Sequence, residues 1–317
     1  MRQAGRSLPE YRRIRESARL VDIVGDAALC AEVSLQPVDR LGVDAAIVFA
    51  DITTPLPGIG VDVRMVEGVG PVIDHPIRTA ADVAKLRTLE PADTVGPLLD
   101  GIAIIRRASP VPVIGFAGAP FTLAAYLVEG RSPRELERTK QLMHADPATW
   151  NGLMAALVDM DIAYLRAQVA AGAQVVQLFD SWVGQLSPFD YRDGVLPHVR
   201  RLIASLEDLD VPVIHFGTGT GGLLEVMAEA GGDAIGVDWR VGLAQAWGRI
   251  GERAIQGNLD PQALLGPWAA VASQASWILA EAAGRTGHVF NLGHGVLPAT
   301  DPDDLQRLVA LVHEATA

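Results

Sequence analysis

The chain has 317 residues, of which 49% are apolar and 20% charged, and a formal net charge of −12. Those proportions supply ample material for a core and exclude a disordered chain, while the acidic balance argues against nucleic acid or anionic membrane as general partners. Its one cysteine, Cys30, excludes an internal disulfide and any cysteine-rich zinc cluster.

Against that acidic background the chain opens on a positive cluster. It reads Met1-Arg2-Gln3-Ala4-Gly5-Arg6-Ser7-Leu8-Pro9-Glu10-Tyr11, and Arg12, Arg13, Arg15 and Arg19 follow. The fixed donor fork of guanidinium grips carboxylates bidentately, and such a cluster on an acidic protein asks for a use of that kind. Gly5 disfavours a helix between Arg2 and Arg6 and permits close backbone approach to a ligand. For the arginines beyond Tyr11 the reading is open between a carboxylate grip and the solvated face of an amphipathic helix. Glu10 and Glu16 speak against an organelle transit peptide, which avoids acids.

Downstream, Cys30 falls in a predicted helix, where it reads as a small buried thiol. Short β-branched runs then alternate with helical patterns. Seven strands are predicted: Ala45–Phe49, Val113–Phe116, Val175–Phe179, Val211–Phe216, Ala234–Val237, Ala254–Gln256 and His288–Asn291. Between them lie stretches with apolar residues three and four apart, such as Trp150–Ala170 and Tyr191–Leu206. Strands apolar on both faces and separated by helices indicate a parallel sheet covered on both sides. From Asp51 to Leu89 the density of Pro and Gly predicts an excursion with a short hairpin. Val111 to Val128 carries no charge over eighteen residues, the threshold of a membrane span. Pro112, Gly115, Gly118 and Pro120 divide it into a strand, a turn and a helix start, so it reads as buried core. No repeat or linker interrupts the pattern, and residues 1–317 read as a single α/β domain.

In such folds the working residues sit just past the C-terminal ends of strands. Asp51 follows Ile47-Val48-Phe49-Ala50, and Ser181 follows Gln177-Leu178-Phe179-Asp180. His215, Asp238, Asn258 and His294 are placed in the same way, and Tyr126 lies a helical turn into Phe121–Glu129. Each has a plainer reading: Asp51 as the cap of a turn, Tyr126 as a core aromatic with its hydroxyl at the rim, His294 as a satisfied core histidine. Gly217-Thr218-Gly219-Thr220-Gly221-Gly222 fits a dinucleotide fingerprint and is followed by Asp238. It falls late in the strand order rather than in a first βαβ unit. A loop of backbone N–H groups at a helix start, able to bind a carboxylate, is the better account.

Met1 to Tyr11 resembles the signature of the uroporphyrinogen decarboxylase family, with Ser7 where the family usually has an aromatic. The resemblance runs the length of the chain and includes Asn291-Leu292-Gly293-His294-Gly295. It implies a (β/α)8 TIM barrel whose first strand runs into the Arg2 motif. Seven strands are one short of that, so the first strand is expected to be truncated at the N-terminus, with the true start of the gene upstream. The resemblance further implies removal of CO2 from the four acetate side chains of uroporphyrinogen, giving coproporphyrinogen. Asp51 and Arg2 are the expected catalytic residues; Arg2, Gln3, Arg6, Asp51, Tyr126, Phe179, Ser181 and His294 are the expected substrate contacts, with Arg15 as a helper. No cofactor, metal, nucleic acid or membrane partner is expected, and the resemblance implies a cytoplasmic homodimer.

The chemistry is consistent with those residue types. A porphyrinogen turns four pyrrole N–H donors toward its centre, where one carboxylate, Asp51, accepts them together in a pocket lined by Ile47, Phe49 and Phe179. In the family an arginine matching Arg2 has also been considered as the proton donor, an awkward role for a group with a pKa above ~12. The donor is left open between that arginine, an acid of the substrate and an oriented water. Two other readings compete: a corrinoid-dependent methyltransferase, which needs zinc held by Cys and His, and a tetrapyrrole binder that has lost its activity.

Overall fold

The computed structural model describes residues 7–66, 68–133 and 135–316. Nine strands occur among them: β1 Ala46–Ile47, β2 Val63–Val66, β3 Gly70–Ile73, β4 Val113–Gly118, β5 Val175–Asp180, β6 Val213–Gly217, β7 Ala234–Gly236, β8 Ala254–Leu259 and β9 His288–Leu292. Strands β2 and β3 form the hairpin expected in the Pro- and Gly-rich excursion. The other seven build one parallel sheet in the order β1-β4-β5-β6-β7-β8-β9, with helices between successive strands. These are the seven predicted strands, with ends displaced by a few residues. The position expected for a first barrel strand, at and before Arg2, lies outside the described residues.

The sheet is curled, and its sequence explains which face is which. Every residue of β4, Val-Ile-Gly-Phe-Ala-Gly, is buried. A Cβ on Gly115 would meet Gln168 Oε1 at 2.7 Å and the Ala173 methyl at 3.1 Å, so Gly115 and Ala117 face the long helix Pro147–Ala171 at close range. Alternation then turns Ile114 and Phe116 to the concave face. Parallel register carries that face across the sheet, through Ile47 beside Ile114, Gln177 beside Phe116, and Phe216 beside Phe179. Gln256 Nε2 reaches Gln177 Oε1 at 3.4 Å although β5 and β8 are three places apart, as curling requires.

Strand β1 is shorter than its apolar run Ala45–Phe49 predicts. It pairs with β4 only at Ala46 and Ile47, and beyond Val48 the chain leaves the sheet. Phe116 of β4 would then lack a ladder partner on that side. Gln168 takes the place of one, accepting from Phe116 N–H at 3.0 Å and donating to the Phe116 carbonyl at 2.9 Å.

The helical pattern Tyr191–Leu206 is two helices, Pro188–Gly194 and Leu196–Ala204, broken at Val195. Pro197 forces the break, because it has no N–H to donate backward and its ring would clash with the preceding turn. No helix among the described residues is long and apolar enough to cross a membrane. The uncharged run 111–128 instead forms β4 and the buried helix Pro120–Glu129. Near the start, helix Pro9–Ser17 buries Tyr11 and leaves Arg12, Arg13 and Arg15 exposed. Arg12 donates to the Pro298 carbonyl and Arg15 to the Ala18 carbonyl at the end of its own helix, which matches the solvated-face reading for Arg15.

Replacing Gln168 with Leu keeps the volume and orphans both backbone groups of Phe116. Urea unfolding is expected to show a loss of ~2–6 kcal/mol, since each of the two buried unpaired groups costs ~1–3 kcal/mol. A loss below about 0.5 kcal/mol, the size of an ordinary surface change, would contradict this account.

Candidate active site

Because the sheet is parallel, the C-terminal ends of its strands lie at one end of the fold, and most of the predicted residues collect there. Asp51 follows β1, Ser181 follows β5, and His294 lies two residues beyond β9. Tyr126 sits on helix Pro120–Glu129, which begins two residues after β4. Arg2, Gln3 and Arg6 lie outside the described residues.

Asp51 is 5% exposed. Its Oδ1 accepts from the Thr53 N–H at 3.0 Å and from the Thr53 hydroxyl at 2.7 Å, while its own N–H donates to Thr54 Oγ1 at 3.1 Å. The turn-capping reading is thus present in the structure, and it fixes the carboxylate rather than competing with a role in a site. The segment just before Asp51 is held by helix Ala27–Leu41. The Phe49 N–H donates to Ser34 Oγ at 2.9 Å, the Ser34 hydroxyl donates to the Cys30 carbonyl at 2.7 Å, and the Cys30 thiol donates to the Phe49 carbonyl at 3.4 Å. Burial pushes the Cys30 thiol up to about 11, so it serves here as a neutral donor. Behind this segment Tyr164 is fully buried, and burial first, then Cys30, Asp161 and Asp51, holds its phenol protonated. Neither Ser34 nor Tyr164 carried a sequence signal beyond membership of an apolar helix face. Their use depends on what lies opposite.

The concave wall is aromatic. Phe179 meets Phe116 and Phe216 edge-on, with ring centroids 5.3 and 5.9 Å apart. Tyr11 tilts against Phe49 at 5.5 Å, and Tyr126 meets Trp182 edge-on at 6.2 Å. Ser181 is half-buried, and its carbonyl accepts from the Thr218 hydroxyl in the loop after β6. Those two loops touch backbone to backbone: a Cβ on Gly184 would lie 2.1 Å from the Thr218 carbonyl oxygen.

Three expectations need correction. His215 and Asn258 lie within β6 and β8 rather than beyond them. His215 is in register with Leu178 and Ile235, on the face turned toward the helices. The missing side chain of Gly293 lets the end of β9 pack on the loop after β7, where a Cβ would be 2.6 Å from Trp239 N. The glycine loop 217–222 does bind a carboxylate, but it is the chain's own Asp238, whose Oδ2 accepts from Gly219 N–H at 2.6 Å and which also pairs with Arg240.

Of the predicted site residues, Asp51 and His294 border two different clefts, and Tyr126, Phe179 and Ser181 line neither of them. One holds His294 together with Ile114, Gln256 and Ile47, the last expected beside Asp51. The other holds Asp51 with Thr53, Val63 and Met65. Among the described residues no group of three His, Cys, Asp or Glu is arranged to hold a metal ion.

A curled parallel sheet with polar side chains gathered at its C-terminal ends defines a barrel-type α/β protein with an enzyme-like site. Among solved structures a methyltransferase from Methanosarcina mazei shares the fold, with a TM-score of 0.79 over 94% of this chain and 90% of that one, at 22% identity. A B12-independent methionine synthase from Shewanella sp. W3-18-1 matches with a TM-score of 0.57 at 11% identity, over 94% of this chain and 89% of that one. The family model of uroporphyrinogen decarboxylase (URO-D) matches residues 1–315. Uroporphyrinogen decarboxylase of Nocardia farcinica (strain IFM 10152) is 53% identical over 321 residues, covering 99% of this chain and 90% of that protein. Its counterpart in Thermus thermophilus is 52% identical over 317 residues, covering 100% of this chain and 93% of that protein. The chain belongs to the uroporphyrinogen decarboxylase family.

Ser34→Ala leaves the Phe49 N–H without its acceptor and frees the segment that carries Asp51. A loss of ~1–2 kcal/mol in urea unfolding is expected, and an unchanged midpoint would remove Ser34 from this role. Cys30 in the folded protein is expected to resist alkylation at about pH 8 and to react only as the pH approaches its raised pKa, because the thiolate is the nucleophile. Rapid labelling at the lower pH would contradict the burial seen here.

Proposed function

We propose that this chain is a carboxy-lyase that removes CO2 in turn from the four acetate arms of uroporphyrinogen III, leaving methyl groups and giving coproporphyrinogen III. The observation that supports it most directly is the match to the family model over residues 1–315, reinforced by curated relatives at 52–53% identity. In this reading Asp51 accepts the pyrrole N–H groups at the centre of the macrocycle. Protonation of a pyrrole carbon makes a cation, and that cation takes up the electron pair released when the C–CO2 bond of the neighbouring acetate breaks; a proton then adds to the exocyclic methylene left behind as the ring carbon gives up its own, and the arm becomes a methyl group. At ~4 Å and an effective dielectric of ~20, an anion stabilises such a cation by roughly 4 kcal/mol. That is about three orders of magnitude in rate where it is gained only in the transition state. The substrate supplies its own electron sink, so the chemistry calls for no cofactor.

Asp51 suits the task on two counts. It is almost out of water, where an electrostatic interaction is strongest. Its Oδ1 is anchored by Thr53, which fixes the plane of the carboxylate. Arg2, Arg6 and Gln3 are assigned to the substrate's carboxylates, Tyr126, Ser181 and His294 to its polar edge, and Phe179 to the apolar wall. Arg2 also stays with Asp51 in the catalytic pair. The chain acts as one domain in a cytoplasmic homodimer. The methyltransferase reading is disfavoured by Cys30, a buried thiol donating to a carbonyl, the opposite of a metal-binding thiolate.

Asp51→Asn is the direct test. The Asn oxygen can accept both Thr53 bonds, so folding is expected to survive while CO2 release from uroporphyrinogen slows by at least about tenfold. Parental activity in that variant would exclude Asp51 from the chemistry. A parent protein that binds the macrocycle and leaves its acetates intact would make the chain a binder instead.

A further inference from the structure

Asp180, the last residue of β5, is fully buried, and so are Thr122 and His215 beside it. The Thr122 hydroxyl accepts from the Trp182 N–H at 3.2 Å and donates to Asp180 Oδ1 at 2.9 Å. One hydroxyl therefore ties the first turn of helix Pro120–Glu129 to the residues on either side of Ser181. The other oxygen, Asp180 Oδ2, lies 3.6 Å from His215 Nε2 and brings β6 into the same group. Thr122 and Tyr126 are four residues apart on one helix and so share a face. Tyr126 rests its ring on Trp182.

Packing alone does not account for this carboxyl group. The residues of β5 on the same face, Val176 and Leu178, are apolar and fully buried. An apolar residue at 180 would extend that layer, whereas a buried carboxyl group is costly unless its partners are complete. Here they are not. Among the described residues Asp180 Oδ2, both carboxyl oxygens of Asp161, the Tyr191 hydroxyl and both ring nitrogens of His215 are buried without a hydrogen-bond partner. Burial first and the neighbouring Asp180 second hold the Asp161 carboxyl well above the usual range. Buried polar groups left without a complete set of partners call for an explanation other than packing.

We propose that Asp180, acting through Thr122, is a positioning residue that sets Tyr126 and Ser181 in the geometry that holds the substrate's polar groups. The inference rests on the reading that Tyr126 and Ser181 touch the substrate. Thr122 transmits the effect because its single hydroxyl proton is committed to Asp180, which leaves the oxygen lone pairs for the Trp182 N–H. The direction of both bonds is thereby fixed.

The test compares Thr122→Val, which keeps the volume and removes both bonds, with Thr122→Ser, which keeps the hydroxyl. With uroporphyrinogen as substrate, Thr122→Val is expected to raise KM about tenfold with kcat within about threefold of the parent, and Thr122→Ser to stay within about twofold on both. A merely structural role lowers thermal stability and the yield of folded enzyme but leaves the KM of the folded fraction alone. Parental KM in Thr122→Val overturns the proposal, as does a Thr122→Ser variant no better than Thr122→Val. Should Thr122→Val fail to fold, Thr122→Cys keeps the volume and weakens both bonds; the same rise in KM is then expected, and parental KM overturns the proposal in the same way. Tyr126→Phe and Ser181→Ala are measured alongside. If neither changes KM or kcat, the reading of the site falls and this role with it. If they do and Thr122→Val does not, only the positioning role falls.

Discussion

Two residues are all that β1 contributes to the ladder, and the candidate site is organised around that shortage. Backbone N–H and C=O groups out of reach of water must find partners. Past Val48 no strand among the described residues offers them, and side chains do: Gln168 to Phe116 on one side of the gap, Ser34 and Cys30 to Phe49 on the other. A ladder would have carried the chain straight on. Side-chain partners let it turn instead, and Asp51 stands in that turn with one oxygen closed onto Thr53. The carboxylate is therefore placed by tertiary contacts made from two helices rather than by the sheet itself.

The parallel sheet was legible because its central strands are apolar on both faces. Strand β4 shows this most plainly, with every residue buried. Their ends were harder to read, since Gly118, Asp180 and Gly217 continue the extended chain past the last apolar residue. Strand β1 failed in the other direction: Ala45–Phe49 looks like a strand, yet whether it pairs depends on its neighbour and not on its own composition. The split of Tyr191–Leu206 had a signal, Pro197, that the apolar spacing overrode. At the site, Asp51, Ser181 and His294 could be placed by counting from strand ends. His215 could not, because a polar residue inside a buried strand looks the same in sequence as one at its tip. The supporting residues Ser34 and Gln168 were invisible, since a hydroxyl or amide on an apolar helix acquires meaning only from the backbone group it meets.

Carboxyl groups near the strand ends are divided among different tasks. Asp238 is consumed by the glycine loop and by Arg240, which explains how a sequence can carry a dinucleotide-like pattern without leaving it free for a ligand. Asp180 is sealed in the layer between sheet and helices. Asp51 borders a cleft. Residue type and strand-end position are common to all of them, and burial with its particular partners separates them.

The contact between Gly184 and the Thr218–Gly219 backbone couples two loops that are 34 residues apart in sequence, counted from 184 to 218. With no side chain between them they behave mechanically as one double-layered rim. Neither can lengthen or tilt by itself. Over evolutionary time, a change of loop length after the fifth strand should therefore be matched by one after the sixth, and variation in pocket shape should be found elsewhere along the rim.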